Sequence, residues 1–114
     1  MSINYQKFFQ PITLTTSAVV IYTVPATPLS NLFRGGRVRL TNSTSAPKTA
    51  RLHAVPAAGA VADTNSFFFD QTIPAFGYVD VDVPILAAGD TIQALASATP
   101  GVGIQAMTGG VFSA

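Results

Sequence analysis

Residues 76–97 read Phe76-Gly-Tyr-Val-Asp-Val-Asp-Val-Pro84-Ile-Leu-Ala-Ala-Gly-Asp90-Thr-Ile-Gln-Ala-Leu-Ala-Ser97, and this stretch decides the fold. From Tyr78 to Val83 the residues alternate, so an extended chain sends Val79, Val81 and Val83 to one face and Tyr78, Asp80 and Asp82 to the other. That is a half-buried strand. Pro84 has no N–H to give a ladder and closes the run. Ala88-Gly89-Asp90 supplies turn chemistry, and Thr91 to Ser97 resumes an extended pattern with Ile92, Ala94 and Ala96 on one side. Two strands joined in this way need a second sheet to cover their apolar face.

The neighbouring segments repeat the pattern. Arg37 to Asn42 alternates, with Val38 and Leu40 inward and Arg37, Arg39 and Thr41 outward, after Gly35-Gly36 breaks the chain. A polar loop to Pro47 leads to Lys48–Val55, read as the returning strand of a hairpin with Ala50, Leu52 and Ala54 on one face and Thr49, Arg51, His53 and Val55 on the other. Residues 56–65, with Pro56 and Gly59 at one end and Asp63-Thr64-Asn65 at the other, leave room for a surface connection with at most a helical turn around Ala60 to Asp63. Phe67-Phe68-Phe69 opens the next extended segment, reaching Ile73. Three consecutive aromatics in a strand must point to both faces, so at least one leaves the core.

Nearer the N-terminus, Ala18 to Val24 is dense in β-branched residues and reads as a strand. Pro25 to Asn31 is a loop, with a short helical turn expected around Leu29 to Phe33. Residues 1–17, with Tyr5, Phe8 and Phe9 among polar neighbours, form an N-terminal arm or edge segment that docks on its own domain or a neighbour. Val102 to Ala114 gives a final strand interrupted at Gly109-Gly110. Eight or so short strands with frequent turns predict one all-β domain over residues 18–114, an antiparallel two-sheet sandwich of jelly-roll type, the alternative being an immunoglobulin-like sandwich.

With 114 residues the chain is the size of one domain. Only 10% of residues are charged while 48% are hydrophobic, so much of the surface is expected to lie against partners, unless Ser, Thr, Asn and Gln clothe it instead. A net charge of +1 opposes direct nucleic-acid binding, which needs clustered cations. The absence of cysteine excludes disulfides and thiolate metal sites. No apolar run approaches a bilayer span, and the N-terminus lacks the pattern of a cleaved signal, so the chain is expected to be made in the cytosol without membrane contact.

No residue set declares a reaction. Asp80 and Asp82 share one strand face roughly 7 Å apart, a plausible spacing for paired carboxylates but also the ordinary wet face of an amphipathic strand. His53 is the only histidine and sits on the outward face, where a surface role is the usual one. The five Asp are scattered, without the alternating oxygen ligands of a calcium loop, and Gly35-Gly36 and Gly109-Gly110 lack the lysine of a phosphate loop. No catalytic residue, metal or cofactor is expected. Arg37 and Arg39, with Arg51 on the paired strand adding to the patch, suit bidentate pairing with carboxylates such as Asp80 and Asp82 on a neighbouring strand or subunit; solvated charges are the alternative.

Tyr22-Thr-Val-Pro-Ala26, Arg39-Leu-Thr-Asn-Ser43, Ala54-Val-Pro56, Ile73-Pro-Ala75 and Leu86-Ala-Ala-Gly-Asp-Thr-Ile-Gln-Ala94 together resemble small tailed-bacteriophage virion proteins of capsid decoration, neck or tail type. The resemblance covers about Val19 to Val111 through short motifs. It implies a non-enzymatic β-sandwich on the capsid exterior that bridges major capsid subunits as a homo-oligomer. Phe8, Phe9, Phe67, Phe68 and Phe69 are then the expected interface anchors, with Arg37 and Arg39 in polar contacts. Neck or tail components share these features. A carbohydrate-binding module, using Tyr5, Tyr22 or Tyr78 as platforms, belongs to a different class.

Overall fold

The computed structural model describes residues 2–5, 9–25, 31–97 and 102–113, which form two antiparallel sheets packed as a sandwich. Ten strands are described: β1 (Ser2–Tyr5), β2 (Ile12–Thr13), β3 (Val19–Thr23), β4 (Leu32–Asn42), β5 (Lys48–Val55), β6 (Ser66–Ile73), β7 (Tyr78–Asp82), β8 (Leu86–Ala87), β9 (Thr91–Ala96) and β10 (Val102–Ser113). A 3₁₀ turn at Asp63–Asn65 precedes β6. The first sheet runs β1-β10-β4-β7, with β2 alongside β10 and β8 alongside β4; the second runs β3-β9-β5-β6.

This order is that of a jelly roll. With the short β2 and β8 set aside, the remaining strands form one long hairpin with β5 and β6 at its tip, pairing β5 with β6, β4 with β7, β3 with β9 and β1 with β10. Rolling that hairpin brings β10 against β4 in one sheet and β9 against β5 in the other. The immunoglobulin-like alternative has a different order.

The alternation read from sequence selects the core. Val38 and Leu40 of β4, Val81 of β7 and Val102 and Ile104 of β10 face Ala50 and Leu52 of β5, Phe68 of β6 and Ile92, Ala94 and Ala96 of β9, all in one buried cluster. Phe33 of β4 is fully buried in the same cluster. Residues 14–15 tie the sheets together: Leu14 N–H donates to Val102 O at 2.8 Å, and Thr15 O accepts from Ala96 N–H at 2.8 Å.

Four expectations need correction. β4 and β5 do not form a hairpin; both long edges of β4 are occupied, by β10 on one side and by β7 and β8 on the other, so the chain crosses to the second sheet after Asn42. Gly35-Gly36 does not break the strand. Gly35, at φ 71°, carries β4 through an irregular stretch of its ladder with β10. Gly109-Gly110 likewise lies within β10, where the register shifts between Thr108 and Gly110. Leu32 and Phe33 are strand residues and not helical, while the rest of the expected helical turn, 29–30, lies outside the described residues.

Asn42, 1% exposed, joins two connections at one end of the sandwich. Its Nδ2 donates to Ala46 O at 2.8 Å and Ile73 O at 3.2 Å, while Oδ1 accepts from Thr44 N–H at 2.9 Å and Thr44 Oγ1 at 2.7 Å. At the other end Asp90 does similar work, its carboxylate accepting from Ala87 N–H at 3.0 Å and Ala57 N–H at 3.1 Å.

Candidate functional site

The outer face of the first sheet is built by register. Arg37 stands opposite Asp82 and Arg39 opposite Asp80, so outward-facing residues of β4 and β7 meet as cross-strand ion pairs. Arg37 Nε donates to Asp82 Oδ1 at 3.0 Å; Arg39 holds Asp80 with two bonds, Nε to Oδ1 at 2.8 Å and Nη2 to Oδ2 at 3.1 Å. The partners belong to a neighbouring strand of the same chain. The Arg39 guanidinium also lies 4.1 Å from the centroid of the Tyr78 ring. Its hydrogen bonds hold the Asp80 carboxyl below the usual carboxylate range and raise the Arg39 guanidinium further. A general acid needs the opposite shift, so Asp80 is poorly suited to donate a proton near neutrality.

The second sheet carries the same device. Arg51 Nε and Nη2 each reach Asp70 at 2.8 Å, and the guanidinium lies 4.3 Å from the Phe69 ring centroid. Asp70, at φ 51°, occupies the extra position where the β5–β6 register shifts, and its pairing with Arg51 holds its carboxyl low. Arg51 therefore lies on the opposite sheet from Arg37 and Arg39 and does not join their patch, since β5 is not the hairpin partner of β4.

His53 is 2% exposed, which overturns its reading as a surface residue. It does point outward from β5, but the 60–65 segment covers it. Nδ1 contacts Ala62 O at 3.1 Å and Asn65 Oδ1 at 3.0 Å, two acceptors, so the proton sits on Nδ1. Nε2 is buried without a hydrogen-bond partner. Neither contact is a hydroxyl or a carboxylate, and the arrangement pins a connection. Among the described residues no group of three or more His or Asp is placed to hold a metal ion.

The expected aromatic anchors separate. Phe9 and Phe68 lie in the core of their own chain, and Phe67 packs partly buried against it. Phe69 is 40% exposed. Phe8 lies outside the described residues. Of the tyrosine platforms, Tyr22 is half-buried against Phe33 at 5.3 Å between centroids, and burial raises its phenol; Tyr78 is exposed; the Tyr5 side chain lies outside the described residues. Alternation alone selects Phe68 for the interior once the register with Leu52 is fixed.

Exposed apolar residues that the sequence reading did not single out include Val20, Ile85 and Phe76, the last 73% exposed. Phe76 occupies the third position of the turn Pro74-Ala75-Phe76-Gly77, closed by Gly77 N–H to Pro74 O at 3.0 Å, at φ 52°. The Pro-Ala-Phe-Gly sequence was the available signal, because a side chain at a turn tip faces outward. On the outer face of the first sheet a groove of about 350 Å³ runs over Gly103, walled by Pro11, Ile12 and Thr13 on one side and Thr41 on the other, with Gln105 beside them.

No protein-family model and no curated protein matches this chain. Among solved structures the chain is similar to a subunit of Bacillus endospore appendages, described as disulfide-linked pili, at 12% identity and a TM-score of 0.61, covering 98% of this chain and 88% of that one. It is also similar to a chain of infectious bursal disease virus, Gx strain, at 10% identity and a TM-score of 0.57, and to that of the same virus's VP2 subviral particle at 9% and 0.52. Each virus match covers 96% of this chain and 31% of the viral one, so the chain spans about a third of their length. The likeness is one of fold. Where the appendage subunits are disulfide-linked, this chain has no cysteine.

Proposed function

We propose that the chain is a non-enzymatic structural subunit of a virion that binds the outside of the capsid and bridges major capsid subunits. The observation that carries this reading is the surface: among the described residues seven large apolar side chains besides Phe76, including Val20, Phe69, Tyr78 and Ile85, are exposed, while three Arg–Asp pairs neutralise one another. Such a surface favours association over solvation. Phe69, stacked beneath Arg51, serves as an aromatic anchor, and the Arg37 and Arg39 pairs offer polar rim contacts. Phe9, Phe67 and Phe68 support the interface from within the subunit. The domain is the sandwich of residues 18–114, with residues 1–17 as its edge segment, and the subunit works as a homo-oligomer on a particle assembled in the host cytoplasm.

The test is a count of this protein against the major shell protein in purified virions by quantitative mass spectrometry. Comparable copy numbers support decoration. A few copies per particle transfer the subunit to the neck or tail, and absence refutes the virion reading. A second reading, a subunit of a self-assembled fibre, is favoured by the match in size to the appendage subunit, and it predicts filaments from the purified chain alone. A glycan-binding module draws less support, since Tyr22 is half-buried and Arg39 stacks on Tyr78.

A further inference from the structure

The chain makes the same four-residue turn twice. Pro56-Ala57-Ala58-Gly59 closes with Gly59 N–H to Pro56 O at 2.9 Å and places Ala58 at φ 61°; Pro74-Ala75-Phe76-Gly77 closes at 3.0 Å and places Phe76 at φ 52°. A non-glycine residue in this region is strained, and an aromatic one gains nothing from the turn itself. Ala58 shows that alanine is sufficient there. At 73% exposed, the Phe76 ring does not serve the core either. The strain belongs to the turn, since Ala58 carries it as well; the exposed ring is accounted for if it is received by something else.

A receiving site of matching character lies on the same molecule. The groove over Gly103 measures about 350 Å³ and is lined by Pro11, Ile12, Thr13, Thr41 and Gly103, with Gln105 at hand. A cavity of roughly 150 Å³ suffices for a benzene ring. Neither the turn 74–77 nor this lining contains a charged residue, so docking buries no unpaired charge. The exposure of Phe76 shows that it does not fill the groove of its own copy.

We propose that Phe76 of one copy of this chain inserts into the groove over Gly103 of a second copy. This rests on the reading of the chain as an assembling subunit and names the contact between copies. Knob and groove adjoin on one molecule, since Asn42 N–H, next to Thr41, donates to Gly77 O at 2.9 Å; two copies can exchange both knobs about a two-fold axis, and a contact made only once leaves a free knob and a free groove for further copies. One phenylalanine buries about 150–250 Å², well below the ~1,200 Å² of a stable complex. With its rim the contact is therefore weak and reversible, and it becomes persistent where a particle surface holds many copies together.

The test is sedimentation of the purified chain from about 10 μM to about 1 mM with two variants. Phe76→Ala removes the knob and keeps a turn that Ala58 already makes. Gly103→Val fills the groove; an added Cβ there meets Ile12 O at 3.7 Å, an ordinary contact, and Ile12→Lys is a second groove variant should the valine disturb folding. The wild type is expected to gain mass with concentration, and each variant alone to associate at least tenfold more weakly. Mixing Phe76→Ala with a groove variant is expected to give a one-to-one dimer and nothing larger, because one intact knob then meets one intact groove. A mixture that stays monomeric overturns the proposal, as does a wild type that is monomeric throughout. Association that neither variant weakens overturns it too, yet leaves the assembly reading standing, which the virion copy count decides separately.

Discussion

Replacing Asn42 with alanine should cost about 3–4 kcal/mol of folding stability. The amide makes four hydrogen bonds, to Ala46 O, Ile73 O and the backbone and hydroxyl of Thr44, from a side chain that is 1% exposed. Each is worth about 1 kcal/mol net, and a buried group left without its partner costs roughly 1–3 kcal/mol. The loss is not fully additive, because the single proton of the Thr44 hydroxyl, directed to Asn42 Oδ1 at 2.7 Å, can turn to Ala46 O at 3.0 Å once the amide is gone; Ile73 O has no such substitute in view. Against a typical domain stability of about 5–15 kcal/mol this is a large fraction. In urea, with a slope of about 1.5–2 kcal/mol per molar, the midpoint should fall by about 2 M with the slope unchanged. Asn42→Asp keeps the shape and both acceptors but sets a carboxylate against two carbonyl oxygens. It should cost at least as much near neutrality; burial against those oxygens raises the folded carboxyl above the unfolded value near 3.9, so stability should recover as pH falls toward about 4, where a protonated carboxyl donates again, and gain nothing further below it. A loss below about 1 kcal/mol for Asn42→Ala would refute the reasoning, since water or the loops themselves would then be supplying those bonds.

Gly36→Ala should destabilise by about 2–3 kcal/mol, read by thermal denaturation, because a Cβ there would stand 2.5 Å from Phe33 Cε1 and 2.9 Å from Val83 Cβ, and Phe33 is fully buried. Asp90→Ala should cost about 1–2 kcal/mol and speed amide exchange at Ala57 and Ala87, whose N–H groups it accepts; unchanged exchange at both would show that the turn holds without it. The Asp70 and Asp80 carboxyls are held low by hydrogen bonds from Arg51 and Arg39, so their contribution is complete above the unfolded value near 3.9 and is lost as pH falls through the lower folded values. Carboxyl titration by NMR should place both midpoints below that value, and Arg39→Ala should raise Asp80 while leaving Asp70 in place.

Alternation carried much of the fold. The split of Val79, Val81 and Val83 from Tyr78, Asp80 and Asp82 survives intact, as does Ile92, Ala94 and Ala96 on the inner side of β9. Alternation reports which residues share a face; it does not report which strand lies alongside. A polar loop such as 42–47 serves a hairpin and a crossing between sheets equally well, which is why β5 looked like the partner of β4. The Arg–Asp pairing was legible in residue type and partner, since like spacing on two strands lets two pairs form at once, although the same pattern fits contacts between subunits. His53 was misread because a strand face that points outward is exposed only if no other segment lies over it, and the 60–65 segment does so through Asn65, whose Nδ2 also bonds Ala60 O at 2.9 Å. The role of Asn42 depends on four groups brought together by the fold, and no local pattern announces it.

The position of β10 also governs how the sheet comes into being. It lies between β1 and β4, yet Ile104 must find Leu40 across most of the sequence. Pairings this distant are slow to form, and domains dominated by them fold in milliseconds to seconds. Until β10 arrives, β4 keeps a bare edge in what will become the middle of a sheet, and that edge accepts a β10 from any copy nearby. Refolding yield should therefore fall as concentration rises, and the molecules lost should include pairs that have exchanged this strand.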